Sequence, residues 1–283
     1  MPTTLRDIAV FLDASSGGER IGTHAARIAL EHDAHLIGIY GVTRDGAHAT
    51  SEGFARGEHA IRELVERRRL QDEKNALAAG RRFAEFAREH NISSEFRLVW
   101  QDGPDDDAVL RALHCDLVVA AHPRPEGLPA GWSAERLLLT TGTPVLIVPQ
   151  SWSYGEIGRN VIIAWNRSRE ARRAVNDAMP FIARAQTTTI LTIDGEQDPD
   201  RFGEDPGANL AEHLRRHEVA AEVIHVSSEG VPVAEVIARE ANERGADLLV
   251  FGAYSRSRTS ELLFGGTTRT LLASHSIPLL VSN

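Results

Sequence analysis

Short apolar runs that end on a polar residue recur along the chain, and the segments between them carry apolar residues at helical spacing. Ile8, Ala9, Val10, Phe11 and Leu12 run into Asp13, and Val161, Ile162, Ile163, Ala164 and Trp165 run into Asn166. A serine-containing turn follows each run, and then an amphipathic stretch. In the later one, Ala171, Ala174, Val175, Ala178, Phe181 and Ile182 fall at i, i+3, i+4, i+7, i+10 and i+11, which is one face of a helix. Ile21, Ala25, Ile28 and Ala29 are its earlier counterpart. Next come strand-length runs, Leu36-Ile37-Gly38-Ile39-Tyr40 and Thr189-Ile190-Leu191-Thr192-Ile193. The most legible matches come last: Asp116-Leu117-Val118-Val119-Ala120-Ala121 against Asp247-Leu248-Leu249-Val250-Phe251-Gly252, then Thr143-Pro144-Val145-Leu146-Ile147-Val148 against Ile277-Pro278-Leu279-Leu280-Val281.

Continuous apolar runs suit strands covered on both faces, as in a parallel sheet. Their alternation with helices predicts βαβ units and a doubly wound, Rossmann-like α/β sheet, written twice as β-α-β-α-β-α-β-α-β. The expected division is 1–150, a linker over 151–158, and 159–283. Asp13 and Asn166 lie 153 positions apart but Asp116 and Asp247 only 131, so the first copy carries 22 more residues between its first and fourth strands. The excess is expected between Thr43 and Arg82, where Ile61, Leu64, Val65 and Arg68 predict a long helix; its charge suggests, near 55–82, a partner-facing or lid helix or a purely solvated one, in either case outside the core. Each copy ends in an apolar strand that would otherwise lie at a sheet edge, so these two strands are expected to pair within the chain.

Length and composition fit this picture and narrow the functions. The 283 residues, 42% hydrophobic and 25% charged, are those of a globular protein of about two domains. No run approaches the roughly 20 apolar residues of a membrane span, and the chain start has no basic segment, so a soluble, cytoplasmic protein is expected. Cys115 is the single cysteine, which excludes an internal disulfide and a cysteine-built zinc site. A formal charge of -9 argues against a nucleic-acid surface. Lys74 is the only lysine, and no P-loop motif is present.

In an open α/β sheet, ligands bind beyond the carboxyl ends of the strands, where strand order reverses. After its fourth strand the second copy reads Gly252-Ala253-Tyr254-Ser255-Arg256-Ser257-Arg258-Thr259-Ser260-Glu261-Leu262-Leu263-Phe264-Gly265-Gly266-Thr267-Thr268-Arg269. A Gly-Gly-Thr-Thr segment opening a helix offers amides, hydroxyls and a dipole to a phosphate, with Arg256, Arg258 and Arg269 nearby.

On these residues the chain resembles the universal stress protein (UspA) family in its tandem form. Nucleotide-binding members carry G-x-x-G-x(9)-G-[ST] here, and the matching positions are Gly252, Ser255, Gly265 and Gly266, with Ser255 in place of a glycine and Thr267 just behind. The resemblance implies a stress-response regulator that binds ATP, ADP or AMP through Ala164, Asn166, Ile193, Gly252, Ser255, Arg256, Gly265, Gly266, Thr267 and Thr268. Asn166 stands where the family has an aspartate, which weakens any Mg²⁺ site. It also implies domain pairing, with a homodimer and a protein partner left open. The alternative is a nucleotide-free scaffold with both sites degenerate.

The first copy has the opposite departures. Asp13 and Ser15 keep the strand-one pattern, but the later loop contains Pro123, Pro125, Pro129 and Trp132, and Trp132 stands where a small phosphate-facing residue is expected. Proline removes donors and the indole removes space, so phosphate binding is not expected there. Ser16-Gly17-Gly18 lacks the small polar residues of an adenylating loop, His213 and His217 read as a solvated pair, and Cys115 as an inert thiol. No Ser-His-Asp or paired-carboxylate pattern stands out, so weak ATPase is the most hydrolysis expected.

Overall fold

The computed structural model describes residues 4–43, 58–101, 108–111, 113–153, 155–194, 206–253, 266–274 and 276–283. Contacts divide the chain into two compact units, Arg6–Thr141 and Gly142–Asn283, the latter joined by the stretch before Arg6.

The N-terminal unit contains β1 (Asp7–Phe11), α1 (Ser16–His32), β2 (His35–Thr43), α2 (Glu58–Glu89), β3 (Ser94–Gln101), α3 (Ala108–Arg111), β4 (Leu117–His122), a short 3-10 turn (Ala130–Trp132) and α4 (Ala134–Thr140). Its strands lie in the order β3-β2-β1-β4, all parallel. The C-terminal unit contains β5 (Val145–Pro149), β6 (Asn160–Ala164), α5 (Arg169–Ile182), β7 (Thr187–Ile193), α6 (Ala208–Arg216), β8 (Glu222–Val226), α7 (Val233–Glu243), β9 (Leu248–Gly252), α8 (Gly266–Ser274) and β10 (Leu279–Ser282). Its order is β5-β10-β9-β6-β7-β8, with β5 antiparallel to β10 and the other pairs parallel. The closing strands of the two copies thus pair with each other, Leu279 opposite Ile147 and Val281 opposite Val145, and all four side chains are buried.

The first helix of each copy starts in the same way. Ser15 caps α1, its side chain accepting from the amides of Gly17 and Gly18, and Ser168 caps α5 by accepting from Ala171. The apolar faces expected from the spacing are buried, Ile21, Ala25, Ile28 and Ala29 on α1, and Ala174, Val175, Ala178 and Phe181 on α5. An aspartate ties the start of each central strand: Asp116 accepts from the amides of Arg6 and Asp7, and Asp247 from those of Gly158, Arg159 and Asn160.

Strand register locates the insertion. Ile8 pairs with Leu117 as Val161 pairs with Leu248, which reproduces the offsets of 153 and 131. Ile37 pairs with Glu95 and Thr189 with Glu222, offsets of 152 and 127, so 25 extra residues lie between β2 and β3. They lengthen α2 to 32 residues, against nine for α6. The expectation of a helix outside the core is corrected for its second half. Ala76, Ala79, Phe83 and Ala87 are buried, and Phe83 packs on Phe96 with ring centroids 5.7 Å apart. The charge run hid this apolar face, because Ala and Phe at helical spacing are sparse among arginines and glutamates.

Candidate functional site

In the C-terminal unit, Ala164 and Asn166 lie at the end of β6, Ile193 at the end of β7 and Gly252 at the end of β9, and all four are partly exposed. The Asn166 side-chain oxygen accepts from the Ser168 amide at 3.1 Å, so the amide side chain replaces a carboxylate in the turn that leads into α5. Gly252 lacks a side chain for a packing reason: a Cβ there would stand 2.2 Å from the backbone nitrogen of Ala171 and from the carbonyl carbon of Glu170. The first turn of α5 therefore lies directly against the end of β9. Gly266 opens α8 with nothing within 4 Å of the point a Cβ would occupy, Thr267 and Arg269 are exposed, and no acidic residue occupies the first turn. A helix start of this kind suits an anion. Thr268, in contrast, is buried on the packing face of α8. Ser255, Arg256 and Gly265 lie outside the described residues.

Residues not singled out by the sequence flank this crest. Asp194, with φ 53°, accepts from the Ser228 amide at 2.8 Å, and its own amide donates to the Val226 carbonyl. The two hydrogen bonds from Ser228, backbone and side chain, hold the Asp194 carboxyl below the usual aspartate value. Thr192, fully buried, lies 2.6 Å from Nδ1 of His225. A polar residue inside an apolar strand was the available signal.

The same positions are covered in the N-terminal unit. By register, Phe11 corresponds to Ala164, Asp13 to Asn166, Gly41 to Ile193 and Ala121 to Gly252, and all four are buried. Trp132, 2% exposed, meets Phe11 edge to face with centroids 5.0 Å apart. A Cβ on Gly41 would come within 2.5 Å of the Trp132 ring and 2.6 Å of Pro129, so the indole lies on bare backbone. Asp13 accepts from the Ser15 amide and hydroxyl, and its other oxygen takes the Gly127 amide at 3.1 Å. Arg124 donates to the carbonyls of Pro125 and Leu128 and holds the loop folded. Instead of standing in a phosphate position, Trp132 fills the space above β1 and β2. A small crevice of about 100 Å³ lies elsewhere, between α1 and α2, with Arg82 and Glu19 3.7 Å apart at its mouth.

His213 and His217 touch ring to ring at 4.8 Å, and Cys115 is half-buried. No group of three His, Cys, Asp or Glu side chains among the described residues could hold a metal, and no described helix is long and apolar enough to cross a membrane.

Comparison with known proteins decides the family. A model of the universal stress protein family matches residues 4–149 and again 158–283. The chain belongs to the universal stress protein family. Its fold is similar to that of a universal stress protein from Archaeoglobus fulgidus DSM 4304, at 14% identity and a TM-score of 0.68 over 98% of each chain. A putative universal stress protein from Pseudomonas aeruginosa UCBPP-PA14 is similar at 18% identity and a TM-score of 0.58, covering 99% of this chain and 94% of its own. A universal stress protein in complex with cAMP is 19% identical, with a TM-score of 0.35, over 51% of this chain and 97% of its own. No curated protein gives a significant match.

Proposed function

We propose that this universal stress protein binds one adenine nucleotide per chain, in its C-terminal half (159–283), and acts as a stress-response regulator whose occupied state a protein partner reads. The observation that carries this reading is the contrast between the two crests. Ala164, Asn166, Ile193 and Gly252 are partly open to solvent, whereas Phe11, Asp13, Gly41 and Ala121 lie beneath the unit's own loop. Ala164, Asn166 and Ile193 would face the base and ribose, and the exposed start of α8 at Gly266 and Thr267 would take the phosphates of ATP. Family membership covers both halves alike, so the choice of the C-terminal half rests on the contrast between the crests. Asn166 supplies an amide where a carboxylate would bind Mg²⁺ more strongly, so binding should depend little on the metal.

Titration calorimetry with ATP, ADP and AMP tests the proposal. One site per chain is expected, with binding abolished by Gly266→Val, which places a branched side chain at the open helix start. Loss of a single hydroxyl in Thr267→Ala should cost only about 1 kcal/mol. Two sites per chain would refute the assignment, and absence of binding by any of the three would favour the scaffold reading.

A further inference from the structure

A second feature is the outer edge of β3, which no other strand covers among the described residues. β3 pairs with β2 along its whole length from Ser94 to Gln101. Its C-terminal-unit counterpart, β8, has five residues against the eight of β3. Phe96, Leu98 and Trp100 alternate onto one face of β3. Phe96 packs beneath α2, against Phe83 and Gly80, while Leu98 and Trp100 are 45% and 48% exposed. On α2, Leu77 and Leu70 precede Gly80 along the helix and are 54% and 52% exposed. A crossover helix runs opposite to the strands it joins, so these leucines ascend the same side as Leu98 and Trp100.

We propose that this edge pairs with the same edge of a second copy of the chain, β3 antiparallel to β3 about a two-fold axis at Leu98. In that register Leu98 faces Leu98 of the second copy, Phe96 faces Trp100 and Glu95 faces Gln101, so the whole apolar row is self-complementary. Charge permits it. The chain carries -9, but α2 has eight basic and seven acidic residues and β3 one of each, so two copies of this face meet without net repulsion of the kind the whole chain would give. Glu95 and Arg97 already pair on the opposite face of β3, which leaves no uncompensated charge on the edge.

Sedimentation over a concentration series and mild oxidation of cysteine variants test this. The wild type should reach twice the monomer mass, and Leu98→Lys should return it to a folded monomer with the wild-type circular dichroism spectrum. Leu98→Cys should give a disulfide-linked dimer, because residues opposite each other on an antiparallel pair lie about 5 Å apart. Trp100→Cys should not, because its two copies would be roughly 13 Å apart along the strands. Wild-type protein, with Cys115 alone, is the control. A monomer at every concentration, a dimer indifferent to Leu98→Lys, or cross-linking through Trp100→Cys in preference to Leu98→Cys would each overturn the proposal.

Discussion

The two copies of one βα unit treat the ends of their strands in opposite ways. In the C-terminal unit the ends of β6, β7 and β9 stay partly exposed, while in the N-terminal unit Trp132, Pro129 and Gly127 descend on the equivalent positions. The turn into the first helix is nevertheless the same: Asp13 holds the Ser15 amide at 3.1 Å, and Asn166 holds the Ser168 amide at 3.1 Å. What differs is the second oxygen. The Asp13 carboxylate has one left over and uses it on Gly127, whereas Asn166 offers an N–H₂ there and could not accept that bond. The loop that closes the N-terminal crest is thus tied down by an acidic residue at the strand end, and where Asn166 stands in that place in the C-terminal unit the described strand ends are partly exposed. In this chain, the aspartate at the end of β1 serves closure.

Removing the indole is the strongest way to break the contrast. Trp132 is among the largest fully enclosed side chains, and it rests on Phe11 and on the bare backbone of Gly41. Trp132→Ala should destabilise the N-terminal unit by about 3–5 kcal/mol, the range for truncating a buried aromatic, as read by urea unfolding. Its indole N–H is buried and has no hydrogen-bond acceptor among the described residues, so the contribution is packing. Trp132→Phe should therefore retain most of the stability. A loss below about 1 kcal/mol for the alanine variant would mean that the loop does not close the crest in solution.

A second test exchanges the residues at the ends of the fourth strands. Gly252 admits the first turn of α5, whereas Ala121 at the matching position is buried with room for its methyl group. Gly252→Ala should cost about 1–3 kcal/mol as overpacking against backbone that cannot yield, and Ala121→Gly only about 0.5–1 kcal/mol, the entropic cost of glycine in a strand. Chemical unfolding of the two variants measures the asymmetry. Equal effects would show that the first turn of α5 does not press on Gly252 in solution.

How far the sequence reaches follows from the same residues. Continuous apolar runs such as Leu117-Val118-Val119 and Leu248-Leu249-Val250 predict buried parallel strands because nothing else satisfies both faces, and the helix faces of α1 and α5 follow from spacing alone. Trp132 on Gly41 was not legible, since the contact joins positions 91 residues apart and no local pattern encodes it. A partial signal existed: Gly38 and Gly41 interrupt an otherwise apolar β2, and each admits a bulky ring, Phe83 on one and Trp132 on the other. The buried half of α2 was masked for a related reason, because its small apolar residues are interspersed with long charged ones. Of the positions proposed for a nucleotide, Ala164, Asn166, Ile193 and Gly252 are brought to one crest, Gly266 and Thr267 open α8, and Thr268 turns inward.

The smallest expected effect lies at the opposite end of the strands. Asp116 serves two backbone amides and Asp247 three, at the matching position. Burial pushes the Asp247 carboxyl above the usual aspartate value of 3.8, with Glu156 adding repulsion, and the three amide bonds only partly oppose the shift. An acid whose value is raised on folding binds its proton more tightly in the folded state, so its titration favours folding below 3.8 and this contribution is lost as the pH climbs through the raised value. Asp247→Asn removes the titration and keeps one acceptor oxygen. The stability difference between wild type and Asp247→Asn, measured by urea unfolding across the acid range, should therefore move against the wild type as the pH rises through that window. A difference that moves in the wild type's favour over the same window would show that the amide bonds from Gly158, Arg159 and Asn160 outweigh burial and that the carboxyl titrates below 3.8.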